Sequence, residues 1–363
     1  MSTIEKNSEF DSARAEAFAG QLLRALNNGS LCLMASIGHR TGLFDTMHGL
    51  PPSTSAEIAQ KAELNERYVR EWLGAMVTAG VVEVDPTSTH YRLPAEHAAF
   101  LTRAAAADNI GVFTQYIAVM GGVEDEIAEC FKKGGGVPYE KFPRFHAVMA
   151  EDSGLSVLSS LESHVLPLVP GLTDRLARGI RMLDVGCGSG RIINRLAGLH
   201  PNSRFTGMDL SPEAIANARG EAVQKGLRNT EFSIRDLSHF DETAEPEAFD
   251  FITTFDAIHD QAWPLNVLKG IRRALKADGV YLMQDIRGSS HVYQDIGHPI
   301  GTFLYAISTM HCMTVSLAQG GEGLGAMWGE EKTREYLRNA GFRSIETNQL
   351  AHDIQNNWYV VRK

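Results

Sequence analysis

Apolar residues in the first fifty positions recur every three or four residues, across 13–26 and again across 31–37, which predicts helices over 12–48. Pro51-Pro-Ser-Thr-Ser55 then gives a helix-start signal, with Ser55 as N-cap and Glu57 in the first turn. A short helix over 56–62 and a turn at Leu64-Asn65 are expected. A second helix follows over 66–79, with Val69, Leu73 and Met76 on one face. Residues 81–93 alternate and break at Asp85-Pro86-Thr87, which predicts a hairpin. Helix, helix, helix, hairpin is the order of a winged helix-turn-helix.

The pattern then loosens. Helices are expected over 113–128 and 142–150, with the glycine-rich turn Lys132-Lys-Gly-Gly-Gly-Val-Pro138 between them. Tyr139, Phe142, Phe145 and His146 cluster in the second of these. From about residue 170 short apolar runs alternate with helical periods, the signature of a parallel sheet. The expected strands include 181–185, 205–208, 231–235, 249–255 and 279–285. A final helix over 332–340 ends at Gly341 as C′. It leads into a hairpin of 342–347 and 357–362. The fold class is therefore α/β behind a mainly helical winged-helix domain, with a division near residue 170.

The first of these strands runs into Asp184-Val-Gly-Cys-Gly-Ser-Gly190, with a helix expected from about Ser189. Gly186, Gly188 and Gly190 let a ligand lie on the backbone, and a helix start offers free N–H groups. The dinucleotide spacing GxGxxG fails, because Arg191 or Ile193 stands where the third glycine belongs. Asp184 also precedes the turn. A carboxylate repels pyrophosphate and attracts a sulfonium or an ammonium, so a cationic nucleoside fits better than NAD. Asp209 and Asp236 each follow a further strand.

The glycine turn with Asp209 and Asp236, in that order and spacing, resembles the class I S-adenosylmethionine (SAM) methyltransferases over roughly residues 170–363. The resemblance implies a Rossmann-like, seven-stranded sheet. It also implies SAM as cofactor, with S-adenosylhomocysteine as product. It assigns the methionine part of SAM to Asp184, Gly186, Gly188 and Gly190. The ribose falls to Asp209 with Leu210 beside it, and the adenine to Asp236 and Leu237, with Phe255 at the next strand end. The order winged helix then SAM domain resembles small-molecule O-methyltransferases, in which the first domain builds a homodimer. Three segments are expected on that basis. Residues 1–94 form a dimerisation domain, 95–170 a helical connector and lid, and 171–363 the SAM domain. Gly38-His-Arg-Thr-Gly-Leu-Phe44, Asn65–Trp72 and Met310-His-Cys-Met313 also resemble a bacterial group of such methyltransferases.

His259-Asp260 follows the fourth expected strand of the sheet, and ligands of open α/β sheets bind at strand carboxyl ends. The pair resembles the His-Asp of the O-methyltransferases, whose histidine is a general base, although Gln261 stands where that group has Trp. A hydroxyl must lose its proton to attack a methyl carbon, and histidine suits that task near neutral pH. Asp260, Asp285 and Glu322 are candidates to orient the ring. His146, Tyr116, His291, His311 and Cys312 are candidate acceptor contacts. A small thiol ionises more readily than an alcohol and is the alternative acceptor.

Composition narrows the remaining choices. The chain has 363 residues, 44% of them hydrophobic, and a net charge of −10. Residues 1–170 carry −8 of that charge. Residues 31–94 hold 5 Lys/Arg against 7 Asp/Glu, and the would-be recognition helix is neutral. That argues for a packing module against DNA binding, which needs a basic face. A SAM-binding transcriptional regulator is the rival reading. No run of about 18 apolar residues exists, so no membrane span is expected. The polar first ten residues lack a signal core, and four scattered cysteines fit a cytoplasmic enzyme. No Cys or His spacing suggests a metal.

Overall fold

The computed structural model describes residues 10–87 and 89–363, and most of the polar N-terminal segment lies outside them. The chain divides into two compact units at Ala118/Val119.

The first unit is mainly helical. α1 (Ser12–Thr41) is one continuous helix, where the sequence pattern suggests a break at 27–30. Ser30 donates its hydroxyl to the carbonyl of Leu26, which accommodates a polar residue inside the helix. Gly42, at φ 71°, ends α1 and starts α2 (Leu43–His48). α3 (Ser55–Ala62) is capped by Thr54, one residue before the expected Ser55. Thr54 and Glu57 form a reciprocal capping box there. α4 (Glu66–Thr78) buries Val69, Trp72, Leu73 and Met76. Trp72 donates its Nε1–H to the carbonyl of Met34 at 2.8 Å and packs edge-on against Phe44. The expected hairpin is present as two short strands, β1 (Glu83–Val84) and β2 (Tyr91–Arg92).

The second unit is a seven-stranded sheet covered by helices. Its strands are β3 (Arg181–Val185), β4 (Arg204–Asp209), β5 (Thr230–Ile234), β6 (Phe249–Phe255), β7 (Leu275–Ile286), β8 (Ser344–Asn348) and β9 (Asn356–Arg362). The spatial order is β5-β4-β3-β6-β7-β9-β8. β3 to β7 pair in parallel, and β9 runs antiparallel to both β7 and β8. β7 starts four residues earlier than its apolar run at 279 indicates, because Leu275 already pairs with Phe249.

Side-chain alternation feeds two cores, one on each face. Met182, Phe205, Phe251, Leu282 and Trp358 share one with Ile193, Leu196 and Val165. Leu183, Val185, Ile252, Met283 and Tyr359 share the other with Leu268, Ile271 and Leu337. Truncating a wholly buried leucine such as Leu183 to alanine costs about 2–5 kcal/mol. Residues 154–168 send Val157, Leu161, Val165 and Leu166 into the first of these cores. The strand order reverses between β3 and β6, which opens a crevice outside their carboxyl ends.

Candidate active site

The glycine turn fills one side of that crevice. Gly186 and Cys187 both donate N–H to the Met208 carbonyl, tying the turn to β4. Gly190 (φ 65°) has no room for a side chain, since a Cβ there would lie 2.5 Å from the Phe232 ring. Gly188 (φ 51°) is different. A Cβ there would meet nothing within 4 Å, so this residue borders an open cradle. The helix Arg191–Leu199 starts at once, two residues later than Ser189. Arg191 reaches back to donate to the carbonyl of Ala150 at 2.5 Å, anchoring the helix Phe145–Ser153 beside the turn.

The acids expected to hold a nucleoside occupy distinct settings. Asp209 accepts the Gly188 N–H on one oxygen and the Ser211 N–H on the other, both at 2.8 Å. A carboxylate has about four acceptor positions, so two stay open. Asp184 is buried, with a hydrogen bond from the Thr253 hydroxyl at 2.7 Å. Burial, and secondarily Asp209, pushes its carboxyl up to about 7 against the effect of Thr253. A positive group nearby would relieve that. Asp236 is exposed, and the Ser238 N–H it accepts holds its carboxyl below the usual range. Leu210 is also exposed and Phe255 lies edge-on to Trp358 at 6.1 Å. Leu237 turns into the core, so it offers a ligand backbone groups only. An open glycine cradle, a buried acid that favours a positive neighbour, and an acid with spare acceptor positions fit a cationic nucleoside.

On the β6 side, Asp256 adopts φ 48°, unusual for a residue with a side chain. One of its carboxyl oxygens is buried without a hydrogen-bond partner. Burial, then the charge of Asp285, raises its carboxyl well above the usual range. Sequence reasoning missed this residue, and no spacing signal marks it.

His259 is buried and its Nδ1 donates to Asp285 at 2.7 Å. Of the three candidate orienters Asp285 therefore holds the ring. Glu322 instead accepts from the Tyr336 hydroxyl at 2.5 Å. The same Asp285 oxygen also accepts the Trp328 Nε1–H and the Ile286 N–H, at 3.1 and 2.9 Å. Three converging donors fix the carboxylate, and the carboxylate fixes the tautomer of His259. The other ring nitrogen, Nε2, stands 3.3 Å from Asp260 Oδ1. Burial alone would lower the basicity of His259, but Asp285 and Asp260 outweigh it and raise its pKa well above 6.5.

Cys312 lies beside His259 and Asp260, the Sγ, ring nitrogen and carboxylate oxygen all within 4.8 Å of one another. It closes a π-helical turn, Ser308–Cys312, inserted between the helices Gly301–Ile307 and Met313–Ala318. His311, on that turn, stacks on Phe145 with ring centres 3.5 Å apart. Tyr139 and Phe142 meet it edge-on. Burial and the neighbouring His259 push His311 well below the ordinary histidine range, so it is neutral. His146 stacks on Tyr139. His146, His311 and Cys312 are thus brought together with His259. His291 is not: it is exposed, stacks on Tyr293, and lines another cleft with Glu322, Trp328 and Glu331. Tyr116 is buried in the first unit.

Among the described residues, two triplets bring potential metal-ligand atoms within 4.8 Å of one another. They are His259, Asp260 and Cys312, and Asp256, His259 and Asp285.

Comparisons with known proteins agree with this architecture. Residues 29–103 match the model of the Rv2258c-like winged HTH domain, and residues 176–341 match that of the methyltransferase domain. Among curated proteins, the ubiquinone biosynthesis O-methyltransferase of Haemophilus ducreyi is 28% identical over 117 residues, 32% of this chain and 49% of that protein. The chain thus spans about half the length of the curated relatives it matches. Human N-acetylserotonin methyltransferase, solved in complex with SAM, superposes with a TM-score of 0.67 at 19% identity, covering 99% of each chain. An O-methyltransferase family protein from Burkholderia thailandensis gives 0.66 at 16%, covering 98% of this chain and 99% of that one. These likenesses show a shared fold. The chain thus carries, in order, a match to an Rv2258c-like winged helix-turn-helix domain and a match to a methyltransferase domain.

Proposed function

We propose that the protein transfers a methyl group from SAM to a hydroxyl of a small molecule. The observation that carries this reading is the meeting of two features at one sheet edge. The Asp209-braced glycine turn follows β3, and the His259–Asp285 pair stands at the ends of β6 and β7. SAM, when bound, supplies a methyl group on a sulfonium. Gly186, Gly188 and Gly190 would hold its methionine part, and Asp184 would balance its positive charge. Asp209 would take the ribose hydroxyls. Asp236, with the Leu237 backbone, would face the adenine, and Leu210 and Phe255 would flank it. His259 would accept the acceptor's proton at Nε2 while Asp285 holds Nδ1. General base catalysis of this kind contributes roughly 10²–10⁴-fold.

A thiol acceptor is a second reading, favoured by the raised basicity of His259. An imidazolium binds an anion well, and a thiol becomes one more readily than an alcohol. An acceptor screen with labelled SAM across phenols, alcohols, carboxylates, amines and thiols tests the proposal. Label in a phenol or an alcohol supports it, and label confined to amines would overturn it.

A homodimer through the first unit belongs to the same proposal. α1 exposes Phe18, Leu22, Leu23, Leu26, Leu33 and Ile37, an apolar stripe at helical spacing. A second copy of the same helix is a self-complementary occupant for it. The regulator reading lacks support. Arg67 pairs with Glu71 and Arg70 with Glu66, so α4 offers no free basic face. Trp72 is buried and Tyr68 alone of its aromatics is exposed. Among the described residues no helix is long and apolar enough to cross a membrane. A cytoplasmic location is part of the proposal.

A further inference from the structure

The geometry around His259 points to a binding site for a thiophilic divalent cation such as Zn²⁺, held by His259 Nε2, Asp260 and Cys312 Sγ. Three observations carry this.

First, the ligand atoms of these three side chains lie within 4.8 Å of one another. Imidazole, carboxylate and thiolate are the donor set that suits zinc, and three protein ligands leave the fourth tetrahedral position open. Second, the ring is held as metal-ligating histidines are. Its far nitrogen donates to a carboxylate, and that carboxylate is itself fixed, by the Trp328 and Ile286 N–H groups. Once its proton has left, Nε2 thereby points its electron pair at the other two ligands. Third, the Asp260 oxygen 3.3 Å from Nε2 is buried and has no hydrogen-bond partner. With Nε2 deprotonated, two electron-rich atoms face each other across a gap that a cation would fill. The side chain of Asp260 is 21% exposed, which gives an ion a way in.

The cation binds the thiolate and the neutral imidazole, so binding expels the Cys312 proton and any proton on Nε2 into solvent. The π-helical turn sets this chemistry, because it carries Cys312 beside the strand ends. Cation binding stands independently of the methyl-transfer reading. Its consequence rests on that reading. A cation on Nε2 removes the electron pair that would accept the acceptor's proton, so Zn²⁺ is an inhibitor of hydroxyl methylation.

Co²⁺ and Zn²⁺ titrations of the purified full-length protein test the site. The expected result is one Co²⁺ per chain with a thiolate-to-cobalt charge-transfer band, displaced by Zn²⁺. Cys312→Ser should abolish the band, with folding checked by circular dichroism. Asp285→Asn should weaken cation binding by about 10–100-fold while the band persists at saturation. Absence of the band in the unmodified protein, or its persistence in Cys312→Ser, would overturn the site. Calorimetry with SAM on the same samples tells this failure from failure of the methyltransferase reading. A chain that binds SAM and no cobalt refutes the cation site alone.

Discussion

His259 Nε2 and Asp260 Oδ1 stand 3.3 Å apart without a hydrogen bond, while Nδ1 of the same ring donates to Asp285 at 2.7 Å. Two carboxylates thus bracket one buried imidazole. The arrangement favours the imidazolium at rest, and it ties the proposed base function of His259 to pH.

Replacing Asp285 by asparagine should shift that dependence. The base form of His259 is present above its folded pKa, which lies above the ordinary value of about 6.5. The rate in the natural protein should therefore rise with pH through a value above 6.5. Asp285→Asn removes the largest raising partner, so the rising limb should move to lower pH and the plateau should fall. Stability should respond with the opposite sense. The His259–Asp285 pair contributes fully below the unfolded pKa of about 6.5 and less as pH rises through the folded one. The melting-temperature deficit of Asp285→Asn should be largest at the acid end. A pH–rate limb that stays in place in Asp285→Asn would refute the coupling.

Much of this site could be read along the chain, and the reason is local. Asp184, Gly188 and Asp209 lie at strand ends separated by one βα unit, so spacing alone brings them together. Asp285 could be named but not chosen over Asp260 and Glu322, because only the pairing of β6 with β7 puts it beside His259. Asp256 and Trp328 carry no sequence signal at all. One is marked by its backbone angle and the other by an indole hydrogen bond from 43 residues away. Elsewhere local polarity misled. Asn27, Asn28, Gly29 and Ser30 resemble a turn, yet α1 runs through them. Ser55 looks like a cap, but the reciprocal bonds of Thr54 and Glu57 decide the helix start one residue earlier.

His259→Ala should separate the two acceptor classes. An alcohol or phenol substrate should slow by about 10²-fold or more, since it loses the proposed general base. A thiol should slow much less. Initial rates with labelled SAM give the comparison, and equal losses on both classes would remove the base role.

Asp184→Asn probes the charge that faces the proposed sulfonium. The Asp184 carboxyl is pushed up to about 7 by burial, so near neutral pH it is partly protonated. A bound cation lowers that value and releases the proton. SAM affinity should accordingly rise with pH across about 6 to 8, with proton release seen by calorimetry in buffers of different ionisation enthalpy. Asp184→Asn should abolish the release. Proton release unchanged in the variant would assign it to another group.

Charging the exposed stripe of α1 tests the assembly. Leu22→Glu with Leu26→Glu should convert a dimer into a monomer on sizing with light scattering, because both side chains are more than half exposed in the chain alone. A dimer that survives the pair of substitutions uses another surface.

Titration of SAM into the natural protein and into Asp209→Ala, by calorimetry, bears most directly on the methyltransferase reading. Asp209 braces Gly188 and keeps acceptor positions free for a ribose. One SAM per chain is expected, with affinity at least about tenfold weaker in Asp209→Ala, equivalent to about 1.4 kcal/mol or more. No binding to the natural protein, or equal affinity in both, would contradict it.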